Sequence, residues 1–153
     1  MASISTRLTE LGIKLPNVAG PFGAYVPAKR SGNLVFVAGQ LPMQAGAMMA
    51  LGPVPRKATV EEAQAAARQC VINGLAAAAT VVPVDQIAGV VRVGVFVSSE
   101  PTFYEQPKVA NAASELLKQI FGDAGQHVRA AVGVASLPLD AAVEIEFTFE
   151  VQL

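Results

Sequence analysis

Residues 128–151, V-R-A-A-V-G-V-A-S-L-P-L-D-A-A-V-E-I-E-F-T-F-E-V, constrain the fold more than any other stretch. Read with a period of two, they form two strands. Val128, Ala130, Val132 and Val134 alternate with Arg129, Ala131, Gly133 and Ala135. Val143, Ile145, Phe147, Phe149 and Val151 alternate with Glu144, Glu146, Thr148 and Glu150. Leu137-Pro138-Leu139-Asp140 carries the turn residues of a short connection, so the two runs read as a hairpin. One face is apolar and belongs under helices; the other holds small residues, one arginine and a row of carboxylates. A turn centred on Pro138-Leu139 sets Arg129 opposite Thr148, away from Glu144. The small neighbours of Arg129 leave room for a ligand or a second subunit, and a guanidinium there is a fork of donors shaped for a carboxylate. The alternative is a cross-strand ion pair with Glu146 or Glu150, of the kind that contributes little.

The rest of the chain supplies helices for that sheet. Thr59-Val60-Glu61-Glu62 is a capping-box pattern opening a helix over 59–79, with Ala63, Ala66, Ala67, Cys70, Val71 and Leu75 as its apolar stripe. Pro107 suits the first position of a second helix, 107–121, with Val109, Ala112, Ala113, Leu116, Leu117 and Ile120 inward and Gly122 as its stop. Residues 3–13 form a short N-terminal helix. Strands are predicted at 33–38 and at 87–98, where Val91, Val93, Val95 and Val97 share a face opposite Arg92, Gly94 and Phe96. Residues 14–27 and 43–57 read as loops, the second rich in Met43, Met48, Met49 and Leu51 as interface or lid material. The order predicts an α+β two-layer sandwich: a mixed sheet with two long helices on one face, in a single domain over 1–153 with residues 1–16 as a helical extension.

Composition narrows function. Of 153 residues 52% are hydrophobic and 15% charged, more apolar surface than a lone small domain hides, which predicts a subunit interface. The net charge of −1 without a basic run makes nucleic acid an unlikely partner. Cys70 and His127 are the only residues of their types, so no intramolecular disulfide, thiolate metal cluster or His-rich metal site is expected. Cys70 lies in a helical apolar stripe and reads as a buried thiol; His127 reads as a loop residue. With no membrane-length apolar run and no signal-peptide core, a cytoplasmic protein is expected.

The segments G-P-F-G-A at 20–24, G-N-L-V-F-V-A-G-Q-L-P at 32–42 and the 128–146 run resemble the YjgF/RidA family, also labelled L-PSP endoribonuclease and translation initiation inhibitor. The stretch at 103–122 resembles a longer branch of that family with a poorly defined role. The resemblance runs over residues 17–152. It implies a chorismate-mutase-like subunit, a homotrimer whose sheets form a central barrel, and ligand clefts between subunits. It implies that Arg129 holds a substrate carboxylate and Glu144 positions a water, as catalytic residues, with Gly39, Phe22, Asn111 and Ala131 lining the cleft. The implied reaction is hydrolytic deamination of small enamines and imines such as 2-aminoacrylate to 2-keto acids and ammonia, with no metal and no cofactor implied. Phe22 stands where the family carries a tyrosine, Ala38 where it carries a serine, and Ala130 and Ala131 where it often carries Ser and Cys. The alternatives are therefore a non-catalytic trimer that binds small carboxylates and, behind it, the ribonuclease of the older label.

Overall fold

The structure is a computed structural model that describes residues 2–18 and 23–152. Its elements are α1 (Ile4–Glu10), β1 (Ala28–Ser31), β2 (Leu34–Gln40), β3 (Met43–Gln44), β4 (Ala47–Met48), α2 (Val60–Ala78), β5 (Ile87–Ser98), α3 (Gln106–Phe121), β6 (Val128–Val134) and β7 (Val143–Val151). The main sheet has the order β1-β2-β7-β5-β6. Every pairing in it is antiparallel except β5 with β6. α2 and α3 cover one face, giving the predicted α+β architecture.

Both helices form for the reasons read in the sequence. Thr59 caps α2 by accepting from the Glu62 N–H, while the Glu62 carboxylate accepts from the Thr59 N–H. Those bonds favour the ionised Glu62 and hold its pKa below the ordinary value. The predicted stripes of both helices are buried. They meet Val35, Val37, Val93, Val95, Val97 and the full apolar set of β7. Cys70 is fully buried there, and burial pushes its thiol far up, with the Glu144 charge adding to the effect. Gly122 ends α3 with a positive φ.

Three expectations fail. First, β6 and β7 are not a hairpin. β5 lies between them, and the intervening segment bonds to the 50–54 loop: the Gly52 N–H donates to the Asp140 carbonyl and the Ala142 N–H to the Ala50 carbonyl. β7 buries five large apolar residues and takes a central place between two antiparallel neighbours. β6 joins β5 in parallel, a pairing that requires a crossover element, here α3.

Second, the two faces of β6 are inverted relative to the sequence reading. Arg129, Ala131 and Gly133 stand opposite Val93, Val95 and Val97, which are buried under the helices. Val128 and Val132 point to the open face and are 67% and 45% exposed. Alternation along a strand defines two faces without saying which is inside; the register with β5 decides it. Part of the space beside the small residues is taken by the chain itself. A Cβ at Gly133 would lie 2.6 Å from the Gln106 amide nitrogen and 3.0 Å from the Ser99 hydroxyl.

Third, the 43–57 loop contains a small hairpin, β3–β4, turning at Ala45 and Gly46 with positive φ. Likewise, β1 adds residues 28–31, between the loop read at 14–27 and the strand read at 33–38, to the sheet.

α2 sits close to the sheet at Gly74. A Cβ there would come within 2.5 Å and 2.7 Å of Phe147 ring carbons. That ring stacks on Phe149 with centroids 5.6 Å apart, so it has little freedom to yield. Gly74→Ala is expected to destabilise the protein by about 1–2 kcal/mol, because overpacking exceeds the gain in helix propensity. The urea midpoint measures this; a rise would show that the helix can lift off the sheet without cost.

Candidate functional site

The candidate residues fall into two groups, each assembled by different elements. The first surrounds Arg129. Asn111 and Ser114 are three residues apart on α3 and so share a helix face. His127 stands immediately before β6 and Arg129 is its second residue, so the two are two apart and reach the same side of the chain. The Arg129 Nη1 donates to Asn111 Oδ1 at 2.9 Å and to Ser114 Oγ at 3.2 Å. Ser114 Oγ lies 2.9 Å from His127 Nε2, and His127 Nδ1 lies 2.7 Å from the Gly125 carbonyl oxygen. A carbonyl only accepts, so Nδ1 carries a hydrogen. In the neutral ring Nε2 then accepts the Ser114 hydroxyl hydrogen.

Among the described residues no carboxylate pairs with Arg129. Glu146, one partner offered by the sequence reading, instead pairs with Arg92 at 3.2 Å on the open face. Of the Arg129 donors, Nη1 is engaged, while Nε and Nη2 have no partner among the described residues. Ala131 follows on the same side of β6, half-buried against the core.

The second group is Gly39 with Glu144. The register of β2 against β7 shifts between Val37 and Gln40, and this bulge brings the Gly39 backbone against the Glu144 side chain. A Cβ at Gly39 would lie 2.9 Å from the Glu144 carboxyl carbon and 3.1 Å from its Cγ. The half-buried Glu144 carboxyl has its pKa raised, first by burial and then by the Glu146 charge. Asn73 of α2 fixes the chain beyond the bulge, its Nδ2 donating to the Leu41 and Met43 carbonyls at 3.0 Å each. A cleft of about 480 Å³ opens beside this segment, lined by Pro16, Tyr25, Ala38, Gly39, Gln40 and Asn73 among others. Neither Arg129 nor Glu144 lines it. Phe22 lies outside the described residues.

One chain does not bring the two groups together. Arg129 stands opposite Val93 and Glu144 opposite Phe96, three residues apart along β5. That is roughly 10 Å along the strand, and the two side chains lie on opposite faces of the sheet. Sequence reasoning missed Ser114 and the bracing part of His127. The signal was present as Asn111-x-x-Ser114 on a helix and His127-x-Arg129 on a strand, two spacings that each put polar groups on one side. No group of three or more His, Cys, Asp or Glu among the described residues could hold a metal ion, and no helix there is long and apolar enough to cross a membrane.

The raised Glu144 pKa sets a pH dependence. Its folded-state value lies above the unfolded one, so the ionised carboxylate disfavours the folded state at neutral pH. That penalty disappears as pH falls below the ordinary value of 4.5. Glu144→Gln is expected to raise the thermal midpoint at about pH 7.5 and to leave it level with the parent protein at about pH 3.5. Scanning calorimetry at the two pH values checks this; a variant less stable than the parent at neutral pH would contradict it.

Comparison with known proteins accords with this architecture. Residues 5–150 match the family model described as "YjgF/chorismate_mutase-like, putative endoribonuclease". The chain is 42% identical over 149 residues to protein TCP17 of Trypanosoma cruzi, covering 96% of this chain and 93% of that protein. It resembles the crystal structure of Atu1372 from Agrobacterium tumefaciens, a protein of unknown function, with a TM-score of 0.89 and 43% identity over 98% of this chain and 94% of the other. It also resembles E. coli TdcF with bound serine, with a TM-score of 0.56 and 28% identity over 90% and 93% of the two chains. By the match over residues 5–150 and these relatives, the chain belongs to the YjgF/chorismate mutase-like family.

Proposed function

We propose that this protein hydrolyses small enamines and imines of the 2-aminoacrylate class to 2-keto acids and ammonia, in clefts completed between copies of the chain. The observation that carries this reading is the Arg129 guanidinium. It is held by Asn111 and Ser114 through one nitrogen, has no acidic partner among the described residues, and keeps an edge of donors for an incoming carboxylate. The solved relative with serine bound, an amino acid carrying a carboxylate, supports the same ligand class.

The separation of the two groups supports a multi-chain site. Arg129, Asn111 and Ala131 of one copy would supply the carboxylate clamp, and Gly39 and Glu144 of another the water. The open sheet face supports a trimer. Phe36 (46% exposed), Val128 and Val132 lie there beside Arg92 and Glu146, an apolar surface that sheets of further copies would cover. In the reaction, Arg129 fixes the acid and Glu144 takes a proton from a water as its oxygen bonds to the imine carbon. The proton passes to nitrogen, giving a carbinolamine; its hydroxyl proton then moves to nitrogen through the same carboxyl as the oxygen closes to the ketone, the C–N bond breaks, and ammonia leaves the keto acid. A carboxyl whose pKa is raised holds a proton more readily than an ordinary carboxylate, which suits such an exchange.

The second reading, binding without turnover, is favoured by Ala38, which brings no hydroxyl to the cleft beside Gly39. One assay separates the two. The protein is added to 2-aminoacrylate generated in solution, and keto-acid formation is followed against the spontaneous rate. Acceleration is expected, with kcat/KM falling about 100-fold in Arg129→Ala as a charge-assisted fork is lost. Unchanged activity in Arg129→Ala overturns the mechanism. Saturable 2-oxobutyrate binding with no acceleration selects the binding-only reading. Light scattering in solution is expected to give three times the chain mass.

A further inference from the structure

We infer that Ser114 and His127 are positioning residues that fix which edge of Arg129 is offered, so that a carboxylate is gripped side-on by Nε and Nη2. This rests on the reading that Arg129 receives an acid, and adds how the acid is held and what holds the holder.

The Gly125 carbonyl takes the hydrogen of His127 Nδ1 at 2.7 Å. In the neutral ring His127 Nε2 is then an acceptor and takes the single hydrogen of Ser114 at 2.9 Å. The Ser114 oxygen has no hydrogen left to give and faces Arg129 with its lone pairs, receiving Nη1–H at 3.2 Å. Asn111 Oδ1 receives the other Nη1–H at 2.9 Å. Both hydrogens of Nη1 are thus spent in fixed directions, and turning the guanidinium breaks two bonds at once. The remaining donors are Nε–H and the Nη2 pair. They form the fork whose two parallel N–H bonds match a planar carboxylate.

The chain of contacts has a direction. His127 reaches the ligand only through Ser114, and Ser114 only through Arg129. Without His127 the serine hydroxyl can turn to the carbonyl one turn back in α3, as helical serines do, and its lone pairs move off Nη1. A lysine at 129 offers no fork at all.

The test is binding of 2-oxobutyrate by the full-length protein, followed by calorimetry and by the arginine Nε–H signal in NMR. The Arg129 signal is assigned by its loss in Arg129→Lys. It is expected to move on titration of the parent protein, and Arg129→Lys to bind at least tenfold more weakly. Ser114→Ala is expected to weaken binding about tenfold with no change in thermal midpoint, and Ser114→Thr to restore it. His127→Ala is expected to weaken binding about threefold. The double variant is expected to be no worse than Ser114→Ala alone, because the histidine acts through the serine. If Arg129→Lys loses binding while Ser114→Ala binds as the parent does, or if the two substitutions add, the brace is wrong and the carboxylate reading stands. If the parent does not bind, or binds with the Arg129 signal unmoved and Arg129→Lys equal to it, the carboxylate reading fails and the brace falls with it.

Discussion

The parallel pairing of β6 with β5 decides what Arg129 can do. Because Arg129 stands opposite Val93, its side chain goes beneath α3 and not onto the open sheet with Arg92 and the carboxylates of β7. Under α3 it meets Asn111 and Ser114, two neutral acceptors, in place of an acid that would neutralise it. On the open face the same residue would compete for Glu146, and the guanidinium would be half of an ordinary surface ion pair. The same pairing places β6 at the sheet edge, where the guanidinium is reachable from outside the core.

Much of this was legible from residue order. Element types were fixed by period and by punctuation. The capping box at Thr59, the stripes of both long helices and the 87–98 strand need only local chemistry, and the structure has them where the residues put them. What local chemistry lacks is partner choice. Val128, Ala130, Val132 and Val134 look like a core face by composition, and Leu137-Pro138-Leu139-Asp140 looks like a hairpin turn. Both impressions depend on β7 pairing with its sequence neighbour. β7 finds β2 and β5 instead, since its five large apolar groups are buried most completely in mid-sheet. The face reversal follows from that one exchange.

The site was legible in a similar proportion. Arg129 with Asn111, and Gly39 with Glu144, do meet; the sequence could not say that the two pairs lie on opposite sides of one sheet. In the proposed assembly of copies that separation would have a chemical task, since the Arg129 guanidinium and the Glu144 carboxyl, apart in one chain, would meet where two chains abut. The same proposed assembly would cover the exposed face that carries both valines and ionised groups.

The glycine at 39 has a wider consequence. The volume that its absent side chain would fill is where the Glu144 carboxyl resides. Shelter and proton affinity of that acid are therefore governed by a neighbour that contributes no functional group. A single methyl at 39 would move the carboxyl toward water and let it ionise more readily. Backbone bulk on one strand is thus a control on acidity in the next, and a substitution at this position would shift the proton affinity of Glu144 without altering an acidic residue.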